Sequence, residues 1–308
     1  MKQAEAVAAG RTVRGPRSGS RSVPKVVWTI RRRELVTNAA SAALLLAGSL
    51  ILFGPFVLLA FLSFNDSQIM SFRFDGLTLR FYQEALADEA MRESLRNSLI
   101  VAGLTTPICL VLGTLSAFGV ARFTFRGRGG VAAALALPLV VPSLLVGVGA
   151  LVTFSKVDVP LSLTTVGLMH IVVGFPLVMA IVTAALYRFD RSLEEAALDL
   201  GATRRELLWY VLLPYLVPAL AAAAIVVFGW SFNSFTVTFF TVGSERMFTV
   251  WVFSRLRQGT NLPLVNAIST LVTAGTVVVV YLAYSLLRRS AVRSGQDVRT
   301  LVAGGPAQ

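Results

Sequence analysis

Residues 192–214 read Ser-Leu-Glu-Glu-Ala-Ala-Leu-Asp-Leu-Gly-Ala-Thr-Arg-Arg-Glu-Leu-Leu-Trp-Tyr-Val-Leu-Leu-Pro, a polar interlude between two long apolar runs. Ser192 followed by Glu195 has the spacing of a capping box, so a helix is predicted to start there. Leu193, Ala196, Ala197 and Leu200 then recur at the interval of one apolar helix face. Gly201 ends that helix, because glycine takes a left-handed backbone without a Cβ clash. Thr203 and Glu206 form a second capping box, from which a new helix runs into the next apolar stretch. A short helix, a glycine turn and a second helix are therefore expected, hanging between two spans. The alanines leave a small-residue surface that another protein can approach closely. Glu195 has two compatible roles, at the positive end of the helix dipole and on that approachable surface.

Outward from this segment the chain is apolar. Its 308 residues are 55% hydrophobic and 14% charged, with a mean hydropathy of +0.72, outside the range of soluble globular domains. Six runs are long enough to cross a hydrocarbon core, at about 20 helical residues each: residues 39–63, 97–120, 131–154, 161–187, 209–231 and 264–287. They are continuous and rich in Leu, Ala and Val, so an all-α polytopic membrane protein is predicted rather than a barrel.

Most of the 28 Lys and Arg residues lie in residues 1–33, in the loop at 121–130, in residues 188–205 and after residue 287. The positive-inside rule puts both termini and the 192–214 segment in the cytoplasm. The net charge of +12 is thus explained by topology, with contact to anionic lipid, and not by nucleic acid. Residues 1–34 read as a mobile basic tail, 35–290 as the six-helix domain with its polar loop at 188–214, and 291–308 as a second tail. The N-terminal segment is too basic and the following run too long for a cleavable signal peptide. Cys109, the one cysteine, lies within the second run and reads as a small buried hydrophobe.

Several chemistries are excluded. The lysines, Lys2, Lys25 and Lys156, stand in no glycine-rich phosphate loop, so any ATP and its Mg must be bound by a separate chain. One histidine and one cysteine do not make a tetrahedral metal site, and no nucleophile-elbow motif occurs. A chain that is not an enzyme, with no cofactor and no metal of its own, is expected. A transporter driven by an ion gradient is the alternative, but the six interiors carry no Asp or Glu to titrate, which leaves only His170.

Glu195-Ala196-Ala197, Gly201, Val211 and Leu213-Pro214 resemble the EAA loop of permeases of ATP-binding-cassette (ABC) importers, with Val in place of the usual Ile. Further segments, among them Ser63-Phe64-Asn65-Asp66, Asn97-Ser98-Leu99, Ala121-Arg122-Phe123, Leu137-Pro138-Leu139-Val140-Val141-Pro142 and Asn266-Ala267-Ile268, resemble the spermidine/putrescine-type branch. The resemblance covers roughly residues 45–287 and implies the type I importer permease fold. It also implies an ATPase dimer, a second permease chain and an extracytoplasmic solute-binding protein as partners.

On that resemblance, Glu195, Ala196, Ala197, Leu198, Asp199 and Gly201 would dock on the ATPase. Gly201 and Pro214 would be hinges, since proline removes a helix hydrogen bond. His170, Trp230, Phe232 and Asn233 are candidates for the substrate path. Packing, interfacial anchoring and backbone capping explain the same four residues equally well. Polyamine permeases would be expected to carry an acid near Trp230-Ser231-Phe232-Asn233, where this chain has an amide. The cargo therefore stays open between a polyamine and a related small amine or zwitterion. Residues 64–96 and 232–262 are expected to form the outer mouth, and Gly113, Ala117, Gly147 and Gly149 to serve close helix packing.

Overall fold

The computed structural model describes residues 25–66, 76–259 and 262–293. Twelve helices follow in chain order: α1 Lys25–Ser63, α2 Arg80–Ala87, α3 Glu89–Arg122, α4 Arg128–Val140, α5 Ser143–Lys156, α6 Leu163–Arg188, α7 Ser192–Asp199, α8 Arg204–Glu206, α9 Leu213–Asn233, α10 Thr236–Thr241, α11 Phe248–Gln258 and α12 Leu262–Arg293. No strand occurs among the described residues; Asn65 and Leu77 make an isolated antiparallel bridge. Helix is the expected solution, because a bilayer offers no partner for an unpaired peptide group.

The chain divides into two units, one ending at Val57 and one beginning at Leu58. In the first, the apolar side chains of α1 from Leu44 to Val57 are exposed, Ile51 to 78%. Helix α1 starts at Lys25, so backbone order reaches into the segment read from composition as a tail up to residue 34. The rest of that tail, residues 1–24, lies outside the described residues. At the other end α12 continues to Arg293, past the boundary at 290, and residues 294–308 of the second tail are likewise outside.

In the second unit α3, α6 and α9 pack together as its centre. Cys109, Ala117 and Ala121 of α3, Val178, Met179 and Val182 of α6, and Leu216, Ala223 and Val227 of α9 make the core. Small residues set the spacing: a Cβ on Gly113 would stand 2.5 Å from Val178 Cβ and 2.7 Å from the Phe175 carbonyl oxygen. Gly147 serves α5 against α10 in the same way, where a Cβ would meet Phe240 at 2.9 Å. Gly149 has nothing within 4 Å, so its expected packing role is corrected: it faces the open side of α5.

Among the described residues, five helices are long and apolar enough to span a membrane. The third predicted span, 131–154, is not one helix but the pair α4 and α5, bent by 97°. Val141 is extended (ψ 129°) and Pro142 caps α5. A residue before proline is driven from the helical region by the ring, and proline itself offers no N–H to continue the ladder. Counting apolar residues misses this break, because Val141 and Pro142 are as apolar as their neighbours. The second span is longer than read: α3 begins at Glu89, where the Asp88 carboxylate accepts from the Met91 amide at 2.9 Å.

A coupling segment and a buried polar hub

The start of α7 departs from the expected Ser192/Glu195 capping box. Arg191 is the N-cap and makes no side-chain cap; Ser192 is already helical, and its amide donates to Asp190 Oδ1 at 2.9 Å. Asp190 lies two residues ahead of that amide, the reach of an Asx turn, and a carboxylate accepts more strongly than a hydroxyl. The Ser192 backbone N–H, then its hydroxyl, hold the Asp190 carboxyl below the usual range.

The far end of α7 forms as read. Gly201 takes φ +87°, and the Ala202 amide donates to Ala197 O at 3.0 Å, the six-to-one closure of a Schellman end. Thr203 and Glu206 then close their box: the Glu206 amide donates to Thr203 Oγ1 at 3.3 Å and the Thr203 amide to Glu206 Oε2 at 2.7 Å. The Thr203 hydroxyl donates to the same Glu206 Oε2, also at 2.7 Å.

Between this box and Pro214 the chain does not stay α-helical. Leu207–Leu212 is a π-helical turn, closed by the Leu213 amide on Leu208 O. Pro214 follows within the first positions of α9. A proline deprives the preceding turn of a donor, and a wider turn absorbs the mismatch. The site predicted as a proline hinge is thus a π turn abutting a proline, with Trp209 and Tyr210 of that turn exposed.

The faces of α7 are also sorted differently from the apolar stripe. Leu193, Ala196 and Leu200 are exposed, Leu200 to 89%, as are Glu195, Leu198 and Asp199. Glu194 and Ala197, one turn apart, are the half-buried pair that faces the chain's own body. Glu194 Oε1 lies 2.5 Å from Arg122 Nη2, at the last residue of α3. Arg122 is not among the site residues that the sequence suggests; it enters there as one of the basic residues of the loop at 121–130 and in the Ala121-Arg122-Phe123 segment.

The predicted path residues do not form one surface. His170 is fully buried, with Nδ1 2.8 Å from Ser231 Oγ and Nε2 3.0 Å from Thr238 Oγ1. Thr238 donates its hydroxyl proton to Ser234 O, so it accepts from Nε2–H, and Nδ1 accepts from Ser231: the hydrogen-bond network assigns the neutral Nε2–H tautomer. Thr105 Oγ1 adds a fourth group, 3.2 Å from Ser231, and Trp230 packs edge-on to the imidazole at 5.4 Å. This hub joins α3, α6, α9 and α10. Phe232 is buried and stacks on Phe248 at 5.6 Å, while Asn233 is exposed and donates to Gly229 O at 2.9 Å. In this conformation His170 and Phe232 are packing residues, and Asn233 is the exposed polar group of the four.

Described parts of the two segments expected at the outer mouth do meet. Arg255 Nη2 bonds Asp88 Oδ2 at 2.8 Å, Arg246 Nη1 bonds Glu93 Oε2 at 2.7 Å, and Asn97 Nδ2 donates to Arg246 O at 2.9 Å. Ala85, Met91, Phe248 and Trp251 pack beneath them. Residues 67–75 and 260–261 of those segments lie outside the described residues.

Residues 109–293 match the model of the binding-protein-dependent transport system inner membrane component family. The chain is 30% identical over 264 residues to the putrescine transport system permease protein PotI of Escherichia coli K12, covering 83% of this chain and 93% of the relative. It is 27% identical over 249 residues to the spermidine/putrescine transport system permease protein PotC of the same organism, covering 80% and 94%. Among solved structures, a chain of a bacterial ABC transporter involved in the import of the acidic polysaccharide alginate matches with a TM-score of 0.68 at 16% identity, over 85% of this chain and 98% of that one. A chain of the inward-facing MetNI methionine ABC transporter matches with a TM-score of 0.55 at 19% identity, over 64% and 94%. The chain belongs to the binding-protein-dependent transport system inner membrane components: it is a multi-pass permease subunit of an ABC importer and not an enzyme.

Proposed function

We propose that α7 is the docking element through which a separate ATPase dimer drives this permease. The observation that supports it is the exposed face of α7, where Leu193, Ala196, Leu198 and Leu200 stand out beside Glu195 and Asp199. A helix that turns its apolar face away from its own body needs another protein to cover it. Gly201 sets the angle at which the helix leaves, and the π turn with Pro214 is the compliant joint to α9. ATP and Mg reside in the partner, since this chain has no phosphate loop. Both termini and α7 lie on the cytoplasmic side, as the distribution of Lys and Arg argues. A second permease chain completes the path, and an extracytoplasmic binding protein delivers cargo to the end formed by α2, α11 and the start of α3.

The cargo is a polyamine or a related small amine or zwitterion, a reading that rests on the likeness to PotI and PotC. Asn233 presents an amide dipole where a carboxylate would suit a dication in low dielectric, which favours a less highly charged solute within that group. The docking reading is tested by Glu195→Ala: loss of a charged hydrogen bond weakens ATPase association by about 1 to 3 kcal/mol, read as reduced retention on co-purification. Unchanged retention counts against α7 as the docking element. The cargo is tested by direct binding of putrescine, spermidine and small zwitterions to the cognate receptor protein.

A further inference from the structure

We propose that Arg122 is a positioning residue for coupling: its ion pair with Glu194 mounts α7 on the end of α3, so that the two move as one body. The proposal rests on the reading of α7 as the docking element. Arg122 and Glu194 side chains are only 14% and 21% exposed, and the guanidinium also lies 5.6 Å from the centre of the Phe189 ring. Phe189 is itself buried and packs edge-on against Tyr215 of α9 at 4.8 Å. The Tyr215 hydroxyl donates to Ala185 O of α6 at 3.5 Å. Arg122 Nε and Nη2 and Glu194 Oε1 are all buried without a well-aligned hydrogen bond, so Arg122 and Glu194 meet as a close charge pair, and that pairing and the Phe189 ring are what compensate the buried charges.

Such a pair differs from an ordinary surface bridge. Shielded from water and salt, its attraction is stronger, and removing one partner strands a charge. It also explains why Glu194 is turned inward while Glu195, its neighbour, is exposed. Without the pair, the first turn of α7 is held by the turn at Asp190 and by packing on the π turn. With it, the first turn is fixed to α3, the helix that carries Thr105 and the centre of the core. Force received on the outer face of α7 then reaches α3 directly, and not only α9 through the Pro214 joint.

The test uses the complete transporter with its ATPase and receptor, reconstituted in vesicles, and measures ATPase retention and solute taken up per ATP hydrolysed. Glu194→Gln and Arg122→Gln keep ATPase retention but lower uptake per ATP by about tenfold, the order of coupling seen between contacting residues. The swapped pair Arg122→Glu with Glu194→Arg recovers most of it. Unchanged uptake per ATP in both single variants overturns the proposal. So does a loss of ATPase retention in Glu194→Gln, which would make Glu194 a docking residue; that result leaves the docking reading intact, whereas unaltered retention in Glu195→Ala counts against docking itself. Should the charge variants fail to accumulate, Arg122→Cys with Glu194→Cys joined by a reducible bifunctional thiol reagent decides, because Cys109, the natural thiol, is buried. Uptake that survives cross-linking supports one rigid body, and uptake blocked by the cross-link and restored by reduction overturns it.

Discussion

The hub around His170 and the segment around α7 are both polar islands in an apolar chain, yet they are built on opposite terms. In the hub both imidazole nitrogens have partners within 3.0 Å and no surface is left over. In α7 the backbone is satisfied by local turns, but the apolar side chains and most of the charges face outward. A buried polar group that lacks a partner is costly, so an interior network is completed within the chain. A surface left incomplete is what a partner protein completes. The chain thus separates a part that holds α3, α6, α9 and α10 together from a part whose exposed face, on the docking reading proposed above, a second molecule would cover.

Removing the hub should give the largest effect. His170→Ala leaves Ser231 and Thr238 without their ring partner and opens a cavity, and is expected to cost about 3 kcal/mol or more. Thermal unfolding of the purified permease in detergent reads that loss, with ATPase retention by the surviving folded protein unchanged. Equal loss of retention and stability would erase the separation between the two regions.

Gly201→Val comes next. A β-branched residue at φ +87° is strained by about 1 to 3 kcal/mol, although no neighbouring atom obstructs the side chain. Normal membrane insertion with strongly reduced uptake is expected, and unimpaired uptake would remove the turn from the account. Thr203→Ala deletes one half of the local box and should cost the α8 start about 1 kcal/mol; hydrogen exchange at the amides of residues 204–207 checks it, with no change expected at residues 170 or 231.

The smallest effect concerns Asp190. Its folded carboxyl is held below the unfolded value, so what it contributes is present above the unfolded value and is lost as pH falls through the lowered one. Coupled uptake should therefore be flat around neutral pH. Asp190→Asn, which keeps an acceptor for the Ser192 amide, should leave uptake nearly unaltered at neutral pH while removing any Asp190 share of the acid limb. A large loss at neutral pH would show that the charge, and not the turn, matters.

What was legible in the residues follows the range of each interaction. Gly201 and the Thr203/Glu206 box could be read because their partners lie within a few positions. The Ser192/Glu195 box has the same pattern yet does not form, since Asp190 competes for the same amide and a motif search does not weigh the competitor. The span at 131–154 reads as one helix in the sequence because hydropathy is blind to backbone: Val141 and Pro142 carry a steric break inside a long apolar run.

By itself the sequence determined that the chain crosses a membrane as helices, where its polar loop falls, and which family it belongs to. The first two rest on composition and on contacts between near neighbours along the chain; the family rests on the resemblance of the 192–214 segment and its flanking segments to known permeases. Only the tertiary structure decided that His170 is enclosed by Ser231 and Thr238, that Glu194 turns inward to Arg122 while Glu195 does not, and that the third span bends by 97°. The first two join residues far apart in the chain. Which polar groups share a low-dielectric interior depends on how α3, α6, α9 and α10 pack, and packing has no signature in any single window of residues.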